Sequence, residues 1–205
     1  MIRVGLTGNI ASGKSTLAAV WERAGVPVLS ADELSRRAVA VGGAAEEEVR
    51  EVFGEQAFQP DGALDRDRMR ALVVRDPEVR KRLENLLHPH IRALRETWLT
   101  AKHEEGAPLV VNEVPLLFEV GMEEEFDVIV VVDAPEAERV KRLETARRIP
   151  SQEAQRILAV QGDAGEKKER ADHVILNGGT VEELEDSALA LLHTLLAECQ
   201  GEGTE

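Results

Sequence analysis

Short apolar runs alternate along the chain with stretches in which apolar residues recur three and four positions apart. These runs lie at 2–6, 26–29, 109–111, 128–132 and 174–176. Those at 109–111 and 128–132 are too apolar for a sheet with one solvated face and are typical of strands covered on both faces. Strands that alternate with helices predict a parallel α/β sheet, in which ligands bind at the carboxyl ends of the strands. We therefore predict five parallel strands with helices on both faces.

The segment between Gly42 and Gly106 breaks this alternation. It has no β-branched run, and its apolar residues keep the spacing of a helix. We interpret it as a helical insertion into an α/β core. The predicted boundaries are 1–40 and 107–200 for the core, about 139–165 for a lid within it, 41–106 for the insertion and 201–205 for a flexible tail.

Charge and composition exclude several classes of protein. The chain has 205 residues, 43% of them hydrophobic and 31% charged, with a net charge of −14. The negative charge argues against sequence-independent binding to nucleic acid or anionic lipid. No apolar run approaches the roughly 20 residues of a membrane helix, and the amino terminus lacks the pattern of a secretory signal. We expect a cytoplasmic protein, a monomer or weak homo-oligomer, with no nucleic-acid or membrane partner.

The segment 8–16 matches the phosphate-binding loop pattern G-x-x-x-x-G-K-[ST] between a predicted strand and a predicted helix, as the pattern requires. Its residues are Gly8, Asn9, Ile10, Ala11, Ser12, Gly13, Lys14, Ser15 and Thr16. Main-chain N–H groups of such a loop, and the start of the following helix, bind phosphate oxygens. We expect Lys14 to contact the β- and γ-phosphates of ATP and the Ser15 hydroxyl to ligate Mg²⁺.

Two acidic residues lie at or after the ends of predicted strands. Asp32 follows the second strand, where it is placed to orient an acceptor hydroxyl or accept its proton. The alternative for Asp32 is the N-cap of a helix at 33–39. Glu113 ends another strand and is expected either to hold Mg²⁺ through water or to contact the acceptor, unless it is an ordinary strand-end carboxylate. No guanine-recognition signature follows Val132, which disfavours a GTPase switch.

Basic residues are enriched locally in this acidic chain. Residues 136–170 hold nine Lys or Arg and seven Asp or Glu. Arg139 and Arg142 share a helix face, and Arg147 and Arg148 lie at the expected lid hinge. Guanidinium groups at these positions are suited to neutralise a transferring phosphoryl group, although a solvated helix face is the alternative.

His88 and His90 invite a metal interpretation, which we reject. Residues two apart on a helix face different directions, and no carboxylate has ligand spacing to them. His88 is then either a helix-end residue favoured by the helix dipole or a hydrogen-bond donor to an acceptor.

Five stretches of the chain together resemble the dephospho-coenzyme A kinase family. They are 5–16, Ala31-Asp32, Asp65-Arg66 with 76–89, 114–119 and 171–177. The Pro-Leu-Leu-Phe-Glu and Leu-His-Pro segments among them are more specific than the phosphate loop. The likeness covers about residues 2–195. It implies a core like that of nucleotide kinases, a helical domain that receives the coenzyme A precursor, and a mobile lid.

The resemblance also implies roles for matching positions. Asp32 corresponds to the acceptor-side aspartate of the family, and Asn177 belongs to a loop on the adenine side. The implied acceptor-binding positions are Arg66, His88, Pro115, Leu116 and Glu119.

The chain departs from the family pattern at several positions. Asn9 and Ala11 stand where glycine is common, a departure that is harmless if Asn9 adopts the left-handed conformation that asparagine tolerates. Ser30 replaces the first acid of an Asp-Ala-Asp pattern. Ala146 stands where arginine is usual, so the sequence leaves open which of the two following arginines faces the phosphates; we include Arg148 in the nucleotide site.

Together, the motifs and the resemblance predict ATP-dependent phosphorylation of the ribose 3′-hydroxyl of dephospho-CoA. The predicted catalytic residues are Lys14, Asp32, Arg139 and Arg142. One alternative is another P-loop small-molecule kinase, such as a nucleoside or nucleotide kinase. A second is a nucleotide-binding module that switches a partner and transfers nothing.

Overall fold

A computed structural model describes residues 1–160 and 164–201 of the chain. The predicted tail from residue 202 onward, residues 161–163 of the predicted lid and the side chain of Arg147 lie outside the described part. Of the two arginines predicted as alternatives for facing the phosphates, Arg147 and Arg148, the structure therefore describes the side chain of Arg148 alone.

In the described part of the chain, five parallel strands form one sheet. They are β1 (Ile2–Thr7), β2 (Val28–Ser30), β3 (Leu109–Glu113), β4 (Val128–Asp133) and β5 (His173–Leu176). Their order across the sheet is β2-β3-β1-β4-β5, and every neighbouring pair is parallel. The predicted parallel α/β fold is confirmed.

The helices follow the strands as predicted, with several in the insertion. They are α1 (Lys14–Arg23), α2 (Ala31–Ala38), α3 (Glu46–Phe53), α4 (Arg66–Arg75), α5 (Pro77–Glu104), α6 (Glu136–Arg147), α7 (Ser151–Val160), α8 (Ala164–Glu169) and α9 (Val181–Gly201). Two short 3₁₀ turns lie at Glu55–Ala57 and Glu123–Glu125.

Both faces of the sheet are buried. On one face, α1 and α9 pack over alternate strand residues such as Val4, Val111 and Val130. The intervening positions, including Val110 and Val131, are equally inaccessible to solvent. Because successive strand residues point to opposite faces, burial of both sets means that the sheet is covered on both sides. This placement leaves the carboxyl edge of the strands as the place for a ligand.

The chain divides into two compact units, Met1–Ser30 with Lys102–Glu205, and Ala31–Ala101. The first boundary falls ten residues before the predicted one at 40/41. The difference has a physical cause, because Ala38 and Val39 are buried in the apolar cluster of the helical unit, together with Val49. The second boundary lies within α5, five residues before the predicted one at 106/107.

The longest helix of the second unit, α5, continues through Pro89 for 28 residues. The interpretation of His88 as a helix-end residue is therefore wrong. Proline removes one main-chain donor and disturbs the preceding turn, but apolar residues on both sides of it, among them Leu87 and Ile91, pack in the same cluster. That shared packing keeps the helix continuous.

Within the described residues, no helix combines the length and the apolar character needed to cross a membrane.

Candidate active site

The loop between β1 and α1 approaches neighbouring main chain and side chains so closely that two of its positions must be glycine. Gly8 has a φ of 142° and Gly13 a φ of 104°, conformations that L side chains rarely adopt. A Cβ at Gly8 would collide with the carbonyl oxygen of Val132, and one at Gly13 with the Asn177 amide. The loop therefore lies against the ends of β4 and β5, next to its own strand β1. β1 and β4 are neighbours in the sheet. After β1 the chain continues to β2 on one side of this pair, whereas after β4 it continues to β5 on the other side. Open α/β sheets bind ligands at such a point.

Ala11, and not Asn9, adopts the left-handed conformation in this loop. Its φ is 60°, and Asn9 is absent from the positive-φ residues of the described chain. The condition under which the departure at Asn9 would be harmless is therefore not met. An alanine in this conformation is strained by contact between its Cβ and the following carbonyl oxygen.

The Lys14 side chain folds back over the loop. Its Nζ atom donates to the carbonyl oxygens of Gly8 at 2.7 Å and Asn9 at 3.0 Å, and the residue is only 8% exposed. These bonds hold a buried positive charge directly above the loop. The expected contact of Lys14 with the β- and γ-phosphates stays a prediction.

Ser15 and Glu113 meet at the carboxyl edge of the sheet. The Ser15 hydroxyl donates to Glu113 Oε1 at 3.2 Å, and Glu113 ends β3 in register with Leu6 of β1. A hydroxyl and a carboxylate are oxygen ligands of the kind that Mg²⁺ binds, usually together with water and substrate phosphate. The two residues therefore fit such an ion as two of its ligands. The described part of the chain holds no group of three or more His, Cys, Asp or Glu suited to a metal.

Arg142 of α6 binds the outer side of the phosphate-binding loop. Its Nη1 donates to the carbonyl oxygens of Ala11 at 3.2 Å and Ser12 at 3.3 Å, and its Nη2 donates to the main-chain and side-chain oxygens of Asn177, both at 3.0 Å. Asn177 in turn donates from Nδ2 to the Ser12 carbonyl oxygen at 2.8 Å. Arg142 and Asn177 therefore form a clamp on residues 11 and 12. The guanidinium that was predicted to face phosphate is engaged with main-chain oxygens of the loop itself.

Arg139, one helical turn before Arg142, differs from it in having guanidinium donors without an acceptor. It is 7% exposed, and its Nε and Nη1 atoms are buried without a hydrogen-bond partner. The Asn9 amide and the Ser12 hydroxyl of the loop are also buried and unpartnered. A buried donor left unpaired costs roughly 1–3 kcal/mol, and more when it is charged. A cationic group in this condition favours an anionic ligand over an empty site.

Arg148 directly follows the last residue of α6 and is its C-cap. It has a φ of 54°, and its main-chain N–H donates to the Leu143 carbonyl oxygen, which closes α6. Its side chain is exposed. The predicted break between α6 and α7 is present at Arg148 to Pro150.

The predicted acceptor-side segment after β3 forms a tight turn at 115–121. Leu117 and Phe118 anchor it in the core, whereas Leu116 is 50% exposed. Pro115 accepts a hydrogen bond from Thr7 Oγ1 at 3.3 Å. The side chain of Glu119 accepts from a buried lysine, Lys167, at 2.7 Å.

The remaining predicted acceptor residues lie on the helical unit. Asp32 is the second residue of α2, so its interpretation as an N-cap is wrong, and its side chain is exposed. Arg66 begins α4 and is exposed, while the N-cap is the preceding Asp65, which accepts from the Arg68 N–H at 3.0 Å. His88 is exposed on α5. Their roles toward the acceptor stay predictions.

Sequence reasoning missed Lys167, and it misjudged the neighbours of Arg142. Lys167 and Glu119 are far apart in the chain, and no local pattern announces such a pair. Arg142 and its partners in the loop are also far apart in the sequence. The sequence identified Arg142 as a candidate residue but not the residues that it contacts. Only the loop's own glycine spacing carried a local signal.

A phosphate-binding loop at this point of a five-stranded parallel sheet, with a lysine above it and a hydroxyl–carboxylate pair beside it, defines a nucleotide-binding protein of the P-loop type. Its family follows from comparison with known sequences and structures. The sequence model of the dephospho-CoA kinase family matches residues 2–183. The chain belongs to the dephospho-CoA kinase family, and it is a phosphotransferase.

Individual relatives agree with this assignment. The dephospho-CoA kinase of Anaeromyxobacter dehalogenans is 44% identical over 194 residues, which are 94% of this chain and 91% of the relative. A crystal structure from Thermus thermophilus is 40% identical, with a TM-score of 0.81 and coverage of 95% of this chain and 97% of the other. The dephospho-CoA kinase structure from Campylobacter jejuni is 25% identical, with a TM-score of 0.72 and coverage of 96% and 98%.

Proposed function

We propose that this chain transfers the terminal phosphoryl group of ATP to the ribose 3′-hydroxyl of dephospho-CoA, giving ADP and CoA. This reaction is the last step of CoA biosynthesis. The observation that carries the proposal is the clamped phosphate-binding loop, found in a chain that belongs to the dephospho-CoA kinase family over 2–183. A preformed loop of this kind binds phosphate through main-chain N–H groups, whose positions do not have to change during the reaction.

The triphosphate of ATP would lie along residues 8–16. Main-chain N–H groups of the loop and the start of α1 would bind the phosphate oxygens, and Lys14 would neutralise the β- and γ-phosphates from above. Arg139 supplies guanidinium donors that are buried and unpaired. We assign Arg139 to the transferring phosphoryl group and Arg142 to the loop that binds it.

Ser15 and Glu113 are the residues that would hold Mg²⁺. When bound there, the ion would neutralise charge on the β- and γ-phosphate oxygens. Glu113 would orient the Ser15 hydroxyl, because the two side chains already share a hydrogen bond.

The acceptor hydroxyl would be oriented by Asp32. This residue follows β2 by two positions, and β2 ends at Ser30 in register with Glu113. An exposed carboxylate at this point of the chain is suited to accept a hydrogen bond from the 3′-hydroxyl and to take its proton. The helical unit, with Arg66 and His88, would bind the rest of the acceptor.

The lid would complete the site by excluding water. Water is a competing nucleophile, and its entry would hydrolyse ATP without transfer. Arg148 lies where α6 ends and is expected to reach the nucleotide on closure. Asn177 would lie beside the adenine while holding the loop through Ser12.

Phosphorylation of the acceptor can be tested with purified protein in a coupled assay of ADP release. Dephospho-CoA as the sole acceptor should stimulate ADP release strongly, and the product should be CoA by mass spectrometry. Nucleosides and nucleoside monophosphates, tested as matched acceptors, should give only the background rate. A preference for any of these over dephospho-CoA would replace the proposed function with that of another small-molecule kinase.

We also propose that the enzyme acts in the cytoplasm as a monomer or weak homo-oligomer, independent of nucleic acid and membranes. Its net charge of −14 supports the absence of nucleic-acid binding. Sedimentation over a range of concentrations, with and without DNA, tests the oligomeric state and the absence of nucleic-acid binding. A tight oligomer or co-sedimentation with DNA would contradict them.

A further inference from the structure

Two basic side chains of the short helix α8, and a third just after it, pair with separate acidic residues. Lys167 pairs with Glu119 at 2.7 Å and Lys168 with Asp133 of β4 at 2.9 Å. Arg170, just after the helix, pairs with Glu123 and stacks over the Phe118 ring with its guanidinium carbon 4.6 Å from the ring centre. Glu119, Glu123 and Phe118 all belong to the chain between β3 and β4. The helix therefore fastens that connection in place. Lys167 and Arg170 hold it at two points.

Lys167 is the unusual member of this set because it is buried. Its side chain is 8% exposed, whereas that of Glu119 is 40% exposed. A buried ammonium is stabilised mainly by its partner, since water cannot solvate it. The ion pair with the buried Lys167 ammonium therefore fixes the position of the Glu119 carboxylate, although the Glu119 side chain is partly exposed to solvent.

The turn at 115–121 is fastened differently at its two ends. At its start, Val114 N–H donates to the Leu6 carbonyl oxygen at 2.9 Å and Pro115 accepts from Thr7. These contacts join it to β1 and thus to the phosphate-binding loop. Its far end is joined to α8 through Glu119. The exposed Leu116 lies between the two attachments.

We propose that Lys167 is a positioning residue for acceptor binding. It acts through Glu119, by holding the turn that carries Leu116 and Glu119 in the conformation that the acceptor meets. The idea rests on the proposed function, because it needs Glu119 and its turn to contact dephospho-CoA. It adds a residue that the sequence did not predict to belong to the site. Its loss is expected to affect binding of the acceptor and not binding of ATP.

The decisive variant is Lys167→Met. Replacing a buried ammonium by an apolar side chain of similar length is tolerated by many folds, and Glu119 is left half in water. We expect the KM for dephospho-CoA to rise about tenfold or more, because small displacements of a binding group are costly. The KM for ATP and kcat should stay within about twofold of wild type. A lysine with structural importance alone would not separate the two KM values.

Two further variants show whether Lys167 acts through Glu119. Glu119→Gln should raise the acceptor KM in the same way, and it tests the pair even if Lys167→Met folds poorly. Adding Lys167→Met to Glu119→Gln should raise the acceptor KM by less than about twofold more, since coupled residues are not additive. The matched control is Lys141→Met, because Lys141 is 70% exposed and reaches only to 4.0 Å from Glu138. It should match wild type throughout.

The outcomes separate this inference from the proposed function. A wild-type protein that does not phosphorylate dephospho-CoA would overturn both. An active wild type whose Lys167→Met and Glu119→Gln variants keep the acceptor KM would overturn the positioning role alone. So would equal losses toward ATP and acceptor, or fully additive effects in the double variant.

Discussion

Arg142 donates a hydrogen bond to the carbonyl oxygen of Ala11, the non-glycine residue of the phosphate-binding loop that adopts a left-handed conformation. The donor lies on α6 and the acceptor in the loop after β1, 131 residues apart in the chain. Strained conformations persist where the surrounding structure determines them. Arg142 and Asn177 provide that surrounding structure here, and they keep the loop in the shape that binds phosphate.

Ala11→Gly should stabilise the protein. Glycine populates positive φ without the steric cost that alanine has, so we expect a gain of about 1 kcal/mol in the free energy of unfolding. Urea unfolding measures it. Ala137→Gly, at an exposed position near the start of α6, is the control and should instead cost about 0.5–1 kcal/mol. A loss at Ala11 as large as at Ala137 would show that its conformation is not strained.

Arg142→Met should weaken nucleotide binding through the loop. Four carbonyl and amide oxygens would lose a charged donor, although the Ser12 oxygen keeps its bond from Asn177 Nδ2. Acceptors left unpaired away from water cost roughly 1–3 kcal/mol. We therefore expect a lower unfolding midpoint and a KM for ATP raised about tenfold, whereas the acceptor KM changes little. Arg156→Met, an exposed arginine of α7, serves as the control. A normal midpoint with a large loss confined to kcat would instead place Arg142 on the transferring phosphoryl group.

The fold could be predicted from the sequence because its signals are local. Apolar runs such as 128–132 and the spacing of Gly8, Gly13 and Lys14 each occupy a few consecutive residues, and burial on both sheet faces explains the runs. The conformation of Ala11 could not be predicted, because it depends on Arg142 and Asn177, which are distant in the chain. Asparagine tolerates the left-handed region better than alanine, so intrinsic preference pointed to the wrong residue. Long-range contacts decided the outcome.

The ion pair between Arg3 and Asp127 predicts a pH dependence of stability. Hydrogen bonds from the Arg3 guanidinium and main-chain N–H hold the pKa of Asp127 below its usual range, although burial opposes this. A lowered pKa in the folded state stabilises the protein above the ordinary carboxyl pKa, and this stabilisation is lost as pH falls through the lowered value. Arg3→Met should therefore cost about 0.5 kcal/mol at neutral pH, the usual scale for an exposed pair. The cost should disappear in acid. Unfolding curves of both proteins from neutral to strongly acidic pH measure it, and a cost that is constant with pH would contradict the electrostatic origin.

Asp32→Asn should lower kcat by at least about a hundredfold and leave ATP binding intact. Asparagine keeps the size of the side chain but cannot accept the proton of the acceptor hydroxyl. Isothermal titration with a non-hydrolysable ATP analogue measures binding, and the coupled assay measures kcat. Glu33→Gln, at the next exposed position of α2, is the control and should leave both unchanged. Unaltered turnover in Asp32→Asn would remove Asp32 from the reaction.

Arg139→Met should change stability and activity in opposite directions. The substitution removes a buried guanidinium whose Nε and Nη1 have no partner, so the free protein should unfold at a higher temperature than wild type. Activity should fall, with kcat/KM for ATP lower by about a hundredfold or more, because a donor to the transferring phosphoryl group is lost. Stabilisation by added ATP should also shrink, since ligand stabilisation follows affinity. Lys141→Met, on the same helix and exposed, controls for loss of positive charge and should show neither effect. A variant that is both less stable and fully active would mean that Arg139 serves the fold and has no part in phosphate binding.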